Sequence, residues 1–373
     1  MDFDFTEDQE SLRDAVRRWV DKDYSFERRR EIVKAGGFSR EAWDGLAGLG
    51  LMGLAVSEDH GGLGFGPVDA MVVMEELGRG IVIEPYAQAG LIAPTVLREA
   101  PQSVQSQWMP RIAGGEALIV LAHQERGARY RLDQPTTVAQ NGLLTGAKSL
   151  VLAGDQADAW IIPARSGEGL QAGVALYLVE RGAAGVGTRA YSQQDGSRAA
   201  ELTLHNTPAT LLVGPEQGLA VLERAVDVGI AALCAEGVGA MEKMLAITVE
   251  YLNTRKQFGI VISSFQALRH RVADVKMQLE LARSMSYFAT LKINEAPAAR
   301  RMALSQAKLQ LCKSMRYVGQ QCTQLHGGIG VTDEYISSHY FKRLTVMCLQ
   351  FGDDLHHLGE VSARLQDSAG VFV

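Results

Sequence analysis

The sequence contains few cysteines, no excess of basic residues and no long apolar run. Its four cysteines, Cys234, Cys312, Cys322 and Cys348, are widely spaced and form no CxxC pair. This spacing argues against a zinc site and against a CxxC-type redox dithiol. We therefore expect reduced, mostly buried thiols and no bound metal.

The charge balance and the missing apolar runs exclude further classes of protein. A formal net charge of −6 excludes a generally basic nucleic-acid-binding protein. No uninterrupted stretch of about 18 apolar residues is present, so we expect no membrane span. The acidic opening, Met1–Phe5, has no basic region followed by an apolar run, so we expect no export signal and a cytoplasmic protein.

What is present is a chain of 373 residues with 47% hydrophobic side chains, enough for about two or three domains. Residues 1–115 carry apolar side chains at helical spacing, as in Ser11–Val20 and Glu41–Leu51. Residues 116–213 hold short apolar runs separated by turn signals such as Asn141-Gly142, which predicts an antiparallel β-domain.

Residues 214–373 return to long helical periodicity. The periodic segments are Leu222–Asn253, Phe265–Leu291 and Ala298–Leu325. They predict a bundle of antiparallel helices. The expected fold class is thus α+β, with an N-terminal helical domain, a middle antiparallel β-domain and a C-terminal helical bundle.

Two motifs end long predicted helices. Tyr251–Gly259 gathers an arginine, a lysine, an amide and an aromatic ring, which suit a diphosphate and a stacked ring. A solvated basic helix end is the alternative interpretation. Gln324–Gly330 is rich in glycine, which lets backbone N–H groups approach a phosphate, but the same glycines suit a helix C-cap. Neither motif has the spacing of a Rossmann fingerprint.

Taken together, the motifs resemble the acyl-CoA dehydrogenase family along nearly the whole chain. Arg255–Gly259 with Ser264–Gln266 is similar to the family's RxxFGxxxxxFQ signature, and Gln324–Gly328 is similar to its QxxGG loop. Earlier matching segments are Phe5–Gln9, Leu49–Leu51, Gly61–Gly64 and Glu75–Arg79.

The resemblance implies a fold, a cofactor and an assembly. The family fold ends in a four-helix bundle, and FAD lies between that bundle and the β-domain. Subunits pair so that the RxxFG and QxxGG segments reach the adenosine diphosphate half of the neighbour's FAD. The cofactor-binding candidates on that basis are Arg255, Gln257, Phe258, Gln324, Leu325, His326, Gly327 and Gly328.

The resemblance also implies a reaction, for which this chain lacks the usual base. In the family a glutamate removes the α-proton of an acyl-CoA thioester, flavin accepts the β-hydride, and an electron-transfer flavoprotein collects the electrons. Phe351 stands at the position of that glutamate, and Gly229 stands at the second known base position. Asp353 is the nearest substitute base, although an aspartate before a helical run also suits an N-cap.

The segments that face flavin in the family are altered as well. Gln124–Tyr130 replaces TEPGAGS, and Lys148–Ala153 replaces KxWITN. Leu150 takes the place of the tryptophan and Leu152 that of the threonine, so a side-chain hydrogen bond to flavin is lost, while backbone N–H groups can still donate.

Two functions remain open. The chain is either an active FAD-dependent enzyme that desaturates an acyl-CoA with a relocated base, or a partner subunit that completes the FAD site of a paralogous chain. The second resembles, more loosely, the small subunits of heteromeric dehydrogenases acting on pimeloyl-CoA-like or steroid side-chain thioesters. Both imply a homo-oligomer or hetero-oligomer. An acyl-CoA oxidase is a third reading, disfavoured because those chains are longer.

Overall fold

The computed structural model describes residues 5–167 and 173–368. The α-helices are α1 (Glu7–Asp23), α2 (Phe26–Lys34), α3 (Arg40–Gly48), α4 (Pro67–Arg79), α5 (Ala93–Leu97), α6 (Gln102–Ala113), α7 (Gly218–Thr254), α8 (Gln266–Lys292), α9 (Pro297–His326), α10 (Ile336–Leu349) and α11 (Asp354–Ser368). The strands are β1 (Ile119–Leu121), β2 (Val138–Gln140), β3 (Leu143–Leu152), β4 (Ala159–Ser166), β5 (Gly173–Glu180), β6 (Val186–Ser192), β7 (Arg198–Pro208), β8 (Thr210–Val213), β9 (Lys256–Gln257) and β10 (Ile260–Val261).

Two compact units divide the chain. The first comprises Met1–Arg29, Met71–Val82 and Ile230–Val373, and its core is helical. Helices α8, α10 and α11 all pack on α9. The predicted C-terminal bundle is confirmed, because the long periodic segments become long helices whose bounds differ from the prediction by a few residues.

Helices α4 and α7 approach closely inside this first unit. A Cβ on Gly78 would lie 2.0 Å from the Glu236 carbonyl oxygen, and one on Gly239 would lie 1.8 Å from that of Glu75. Both positions therefore require glycine, since any side chain would push the two backbones apart. The crossing places α4 against the part of the bundle that carries Glu236.

The second unit comprises Arg30–Ala70 and Ile83–Gly229 and contains an eight-stranded sheet. The strand order is β6-β7-β3-β2-β4-β5-β8, with β1 also paired to β4. Most pairs are antiparallel, as predicted, but β1 and β2 both run parallel to β4. The sheet core includes Ile161, Leu176 and Leu202, each fully buried.

Besides the parallel pairs, the sheet differs from the sequence prediction at strands β3, β6 and β8, the last of which follows the expected final strand at 202–204. Strand β6 was not predicted, because most of its side chains lie at the surface and leave no apolar run. Strand β3 is continuous over ten residues, whereas the sequence suggests two runs. A bulge between Lys148 and Val151 explains the break, since it interrupts the alternation of buried and exposed side chains.

Candidate functional site

A short exposed hairpin follows the end of α7. Strands β9 and β10 pair antiparallel, and the two residues between them, Phe258 and Gly259, have positive φ angles of 54° and 80°. Two successive positive φ angles are typical of a type I′ turn, which holds a hairpin in one register. The Phe258 ring is 90% exposed and meets Phe265 edge to face. The turn thus presents an aromatic ring outward on a stiff support.

Arg255 joins α7 to this hairpin. Its N–H donates to the Tyr251 carbonyl oxygen at 2.9 Å, and its own carbonyl accepts from the Ile262 N–H at 2.9 Å. The exposed guanidinium has no hydrogen-bond or ion-pair partner within residues 5–167 and 173–368. The nearby Gln257 is exposed too. The main chain is fixed while the charged group is available to an anion.

The glycine loop begins where α9 ends. Gly327 has a φ angle of 65°, and a Cβ added to either Gly327 or Gly328 would meet no atom within 4 Å. Gln324, Gly327 and Gly328 are exposed, so a large group can approach this backbone closely. Leu325 and His326 are buried and point away from that open side.

His326 connects the two motifs within the first unit. Its ring packs against Tyr251 at a centroid distance of 4.7 Å and against Tyr335 at 5.1 Å. Its Nδ1 lies 2.8 Å from the Cys322 carbonyl oxygen, a geometry that fits an Nδ1–H donor. Because Tyr251 lies one turn before Arg255, this stack sets the glycine loop beside the hairpin. His326 is placed to position the loop.

The segment after α10 carries no free base at the expected place. Phe351 is buried with a φ angle of 57°, and its carbonyl accepts a hydrogen bond from His357 Nε2 at 3.0 Å. Asp353 Oδ1 accepts from the His356 N–H at 2.8 Å, which makes Asp353 the N-cap of α11. Gly229, the second expected base position, lies inside α7.

The neighbouring carboxylate is also engaged. Asp354 Oδ2 accepts from Arg316 Nη1 at 3.0 Å. Burial disfavours the Asp354 charge, but the contact with Arg316 outweighs it and lowers the pKa of Asp354. An acid with a lowered pKa is a weaker base, so Asp354 suits α-proton removal poorly.

In the second unit a buried ion pair ties the two altered β-domain segments together. Lys148 Nζ donates to Glu125 Oε1 at 2.6 Å and to the Pro163 carbonyl oxygen at 2.6 Å. The N–H and hydroxyl groups of Thr136 and Thr137 complete the shell around the Glu125 carboxylate. Burial alone would raise the pKa of Glu125, but Lys148 and the threonines lower it to about 2.

Polar side chains near the altered β-domain loop bond to one another inside the unit. The Tyr191 hydroxyl on β6 donates to Glu201 Oε1 at 3.2 Å. Glu201 also pairs with Arg126 at 3.4 Å. Leu150 has a φ angle of 50°, within the bulge of β3. The leucine side chains at 150 and 152 offer a ligand no hydrogen bond.

A second buried ion pair lies in the helical unit. Arg343 Nε donates to Glu236 Oε1 at 2.6 Å, and both side chains are buried. The sequence alone could not predict this ion pair, because the two charged residues come into contact only where helices α7 and α10 cross. Glu236 thus takes a partner inside the bundle rather than facing a substrate.

Family models match most of the chain. Residues 6–116 match "Acyl-CoA dehydrogenase, N-terminal domain", and residues 216–366 match "Acyl-CoA dehydrogenase, C-terminal domain". Among curated proteins, "Acyl-CoA dehydrogenase FadE27" of Mycobacterium tuberculosis is 29% identical over 356 residues, which cover 91% of this chain and 92% of that protein.

Solved structures of similar proteins include two whose names pair two chains. The "ChsE4-ChsE5 complex from Mycobacterium tuberculosis" contains a chain that is 26% identical with a TM-score of 0.89, covering 98% of this chain and 99% of that one. The "Tcur3481-Tcur3483 steroid ACAD G363A variant" is 27% identical with a TM-score of 0.88, covering 97% of this chain and 99% of that one.

Proposed function

Because the chain belongs to the acyl-CoA dehydrogenase family, whose members are FAD-dependent oxidoreductases, we propose that it takes part in α,β-desaturation of an acyl-CoA thioester as one subunit of an oligomer. Its role in that oligomer is to complete the FAD site of a paralogous chain. This proposal is supported by a difference between two sets of segments. The segments that would reach the FAD of a neighbouring chain are exposed. The segments that would form this chain's own flavin site depart from the family pattern, and their charged side chains pair within the chain.

The neighbour-serving residues fit the diphosphate half of FAD. Arg255 offers a permanently charged, bidentate donor with no partner among the residues that the structure describes, and the Gly327-Gly328 backbone is open to a bulky anion. Phe258 and Gln257 lie on the same stiff hairpin and suit a ring and a polar edge. These residues would hold the cofactor of the partner.

The residues for this chain's own flavin ring fit less well. Leu150 and Leu152 supply no hydrogen-bonding side chain. Phe351 cannot accept a proton, and Asp353 caps a helix. When bound, the flavin supplies the hydride acceptor; the α-proton must then leave to a carboxylate, which in this proposal belongs to the paralogous chain.

A second candidate keeps a catalytic role for this chain. Asp353 is a half-buried carboxylate two residues after the position of the missing glutamate. In that reading Asp353 removes the α-proton of a substrate bound to this chain. The cap bond to the His356 N–H favours the supporting role, because that bond orients one carboxylate oxygen along α11.

The proposed partners follow from the same reasoning. The substrate is an acyl-CoA thioester, the electron acceptor is an electron-transfer flavoprotein, and the second subunit is a paralogous acyl-CoA dehydrogenase. Two of the similar structures have names that pair two chains, and one of these names includes the words "steroid ACAD". A thioester with a steroid side chain is therefore the first substrate class to test.

The stoichiometry of bound FAD tests this proposal. The purified chain alone should retain little FAD, and co-expression with its paralogue should restore about one FAD per pair of unlike chains. Sedimentation velocity should show at least a dimer whenever FAD is bound. A stable monomer at micromolar concentration with bound FAD would contradict the assembly.

Turnover separates the two candidates. We expect the chain alone to be nearly inactive toward a panel of acyl-CoA thioesters with an artificial electron acceptor, and the two-chain complex to be active. Robust turnover by the chain alone would instead support an active site built around Asp353.

A further inference from the structure

A fully buried lysine lies between α9 and α10 in the first unit. Lys308 is 0% exposed, and its Nζ lies 2.9 Å from the Met347 carbonyl oxygen, 3.4 Å from that of Cys348 and 3.3 Å from Cys312 Sγ. Three acceptors match the three N–H donors of an ammonium group, whereas a neutral amine has only two. The geometry therefore indicates a charged lysine.

A buried ammonium needs a nearby negative charge. Among its three acceptors only Cys312 can carry one, as a thiolate. Asp354 and Arg316 lie beyond this contact shell, with His357 and Cys234 as further titratable neighbours. A hydrogen bond from Cys348 and the charge of Lys308 lower the pKa of Cys312 against the opposing effect of burial.

Cys348 faces Cys312 across the two helices. Cys312 Sγ lies 3.5 Å from the Cys348 carbonyl oxygen, and Cys348 Sγ lies 3.6 Å from that of Cys312. The hydrogen bond to Cys312 and burial both raise the pKa of Cys348, so Cys348 keeps its proton. The spacing along the sequence predicted reduced, mostly buried thiols without a CxxC pair, but the fold brings Cys312 and Cys348 together beside a cation.

We propose that Lys308, Cys312 and Cys348 form a redox-active thiol site in which Cys312 is the peroxide-sensitive thiolate and Cys348 the resolving thiol. The Cys312 thiolate attacks one oxygen of hydrogen peroxide and becomes a sulfenic acid, and the other oxygen leaves as water after protonation. Cys348 then attacks that sulfur, expelling a second water. Two thiols and one peroxide yield one disulfide and two waters.

The bond would join α9 to the last residues of α10. Cys348 lies three residues before Phe351, on the segment that leads to the Asp353 cap. The oxidant must be small and uncharged, because Cys312 is 0% and Cys348 7% exposed. This site rests on the contacts among Lys308, Cys312 and Cys348 and does not depend on the proposed function.

Peptide mapping provides the test, because trypsin places the four cysteines in four different peptides. Cys312 falls in Leu309–Lys313 and Cys348 in Leu344–Arg364. The full chain is treated with hydrogen peroxide, quenched, denatured, alkylated and digested. We expect a cross-link between these two peptides that dithiothreitol reverses, while Cys234 and Cys322 remain alkylated. Uniform oxidation of all four thiols, or no cross-link, would overturn the proposal.

Variants assign the roles of the three residues. Cys348→Ser should trap the sulfenic acid on Cys312, detected with dimedone, and Cys322→Ser should leave the cross-link unchanged. Lys308→Met should slow Cys312 oxidation about tenfold or more, because the thiolate loses its cation. If Lys308→Met does not fold, Cys348→Ser still decides: absence of dimedone on Cys312 rules out the assigned thiolate.

Discussion

Lys148 Nζ and Glu125 Oε1 lie 2.6 Å apart, with both side chains buried inside the β-sheet unit. Removing the cation leaves a carboxylate buried without its charge partner, so Lys148→Met should lower the free energy of unfolding by about 3–5 kcal/mol. Lys148→Met combined with Glu125→Leu should recover much of that loss. Urea denaturation measures both.

A matched control for this pair is the surface bridge of Arg131 and Asp133. Arg131→Met should leave the urea midpoint unchanged, since solvent screens exposed ion pairs. A Lys148→Met midpoint equal to that of Arg131→Met would mean that the buried pair adds no stability.

Two Asp353 variants separate helix capping from proton transfer. Asparagine caps helices as well as aspartate does, whereas alanine does not, so Asp353→Ala should destabilise the chain by about 0.5–2 kcal/mol and Asp353→Asn by much less. In the two-chain complex we expect Asp353→Asn to keep wild-type turnover. A loss of about 10²–10⁴ in rate with unchanged stability would identify Asp353 as the base.

Arg255→Ala tests the diphosphate contact. Losing a hydrogen bond from a charged group costs about 1.5–3 kcal/mol, so FAD affinity in the full assembly should fall by one to two decades. Fluorescence titration of the apoprotein with FAD gives the value. Arg18→Ala, a change of an exposed arginine on α1, serves as the control. Equal FAD affinity in the two variants would remove Arg255 from the site.

The buried His357 should make the free energy of unfolding depend on pH. Burial, Lys308 and His356 together lower the pKa of His357 from 6.5 to about 3. Below pH 6.5 the unfolded chain therefore binds a proton at His357 that the folded chain does not bind. The contribution of neutral His357 to the free energy of unfolding is complete above pH 6.5 and is lost as the pH falls toward 3.

His357→Gln removes that linkage. Between pH 7.5 and pH 5 the wild type should lose about 1–2 kcal/mol more stability than His357→Gln. Chemical denaturation at the two pH values measures the difference, and His205→Gln, at an exposed position, should behave like the wild type. Parallel losses in wild type and His357→Gln would refute the assignment.

The sequence predicted the long elements well and the close contacts poorly. The spacing of apolar residues located α7, α8 and α9, because each helix buries one face along many turns. The sequence motifs led to the family. Periodicity could not locate β6, whose side chains mostly face solvent. Nor could it pair Lys308 with Cys348, since residues 40 apart in the chain meet only once α9 and α10 have packed.

The candidate site shows the same division. Family motifs singled out Gln324–Gly328 as one stretch, but folding exposes Gln324 and the glycines and buries Leu325 and His326. A family motif gives the residues that its members share. It does not distinguish residues that contact a ligand from residues that position the loop backbone. Whether the exposed members bind FAD stays a prediction.

The aromatic tip at Phe258 also bears on how the chain fares inside a cell. Phe258 is 90% exposed and the nearby Ile260 and Phe265 are exposed too, so the hairpin leaves a group of apolar side chains in water unless another molecule covers it. In the proposed two-chain assembly, a copy made in excess of the paralogous chain would be an orphan subunit exposed to degradation. On that proposal, the amount of this protein should follow the amount of the paralogous chain, even when its own messenger RNA is abundant.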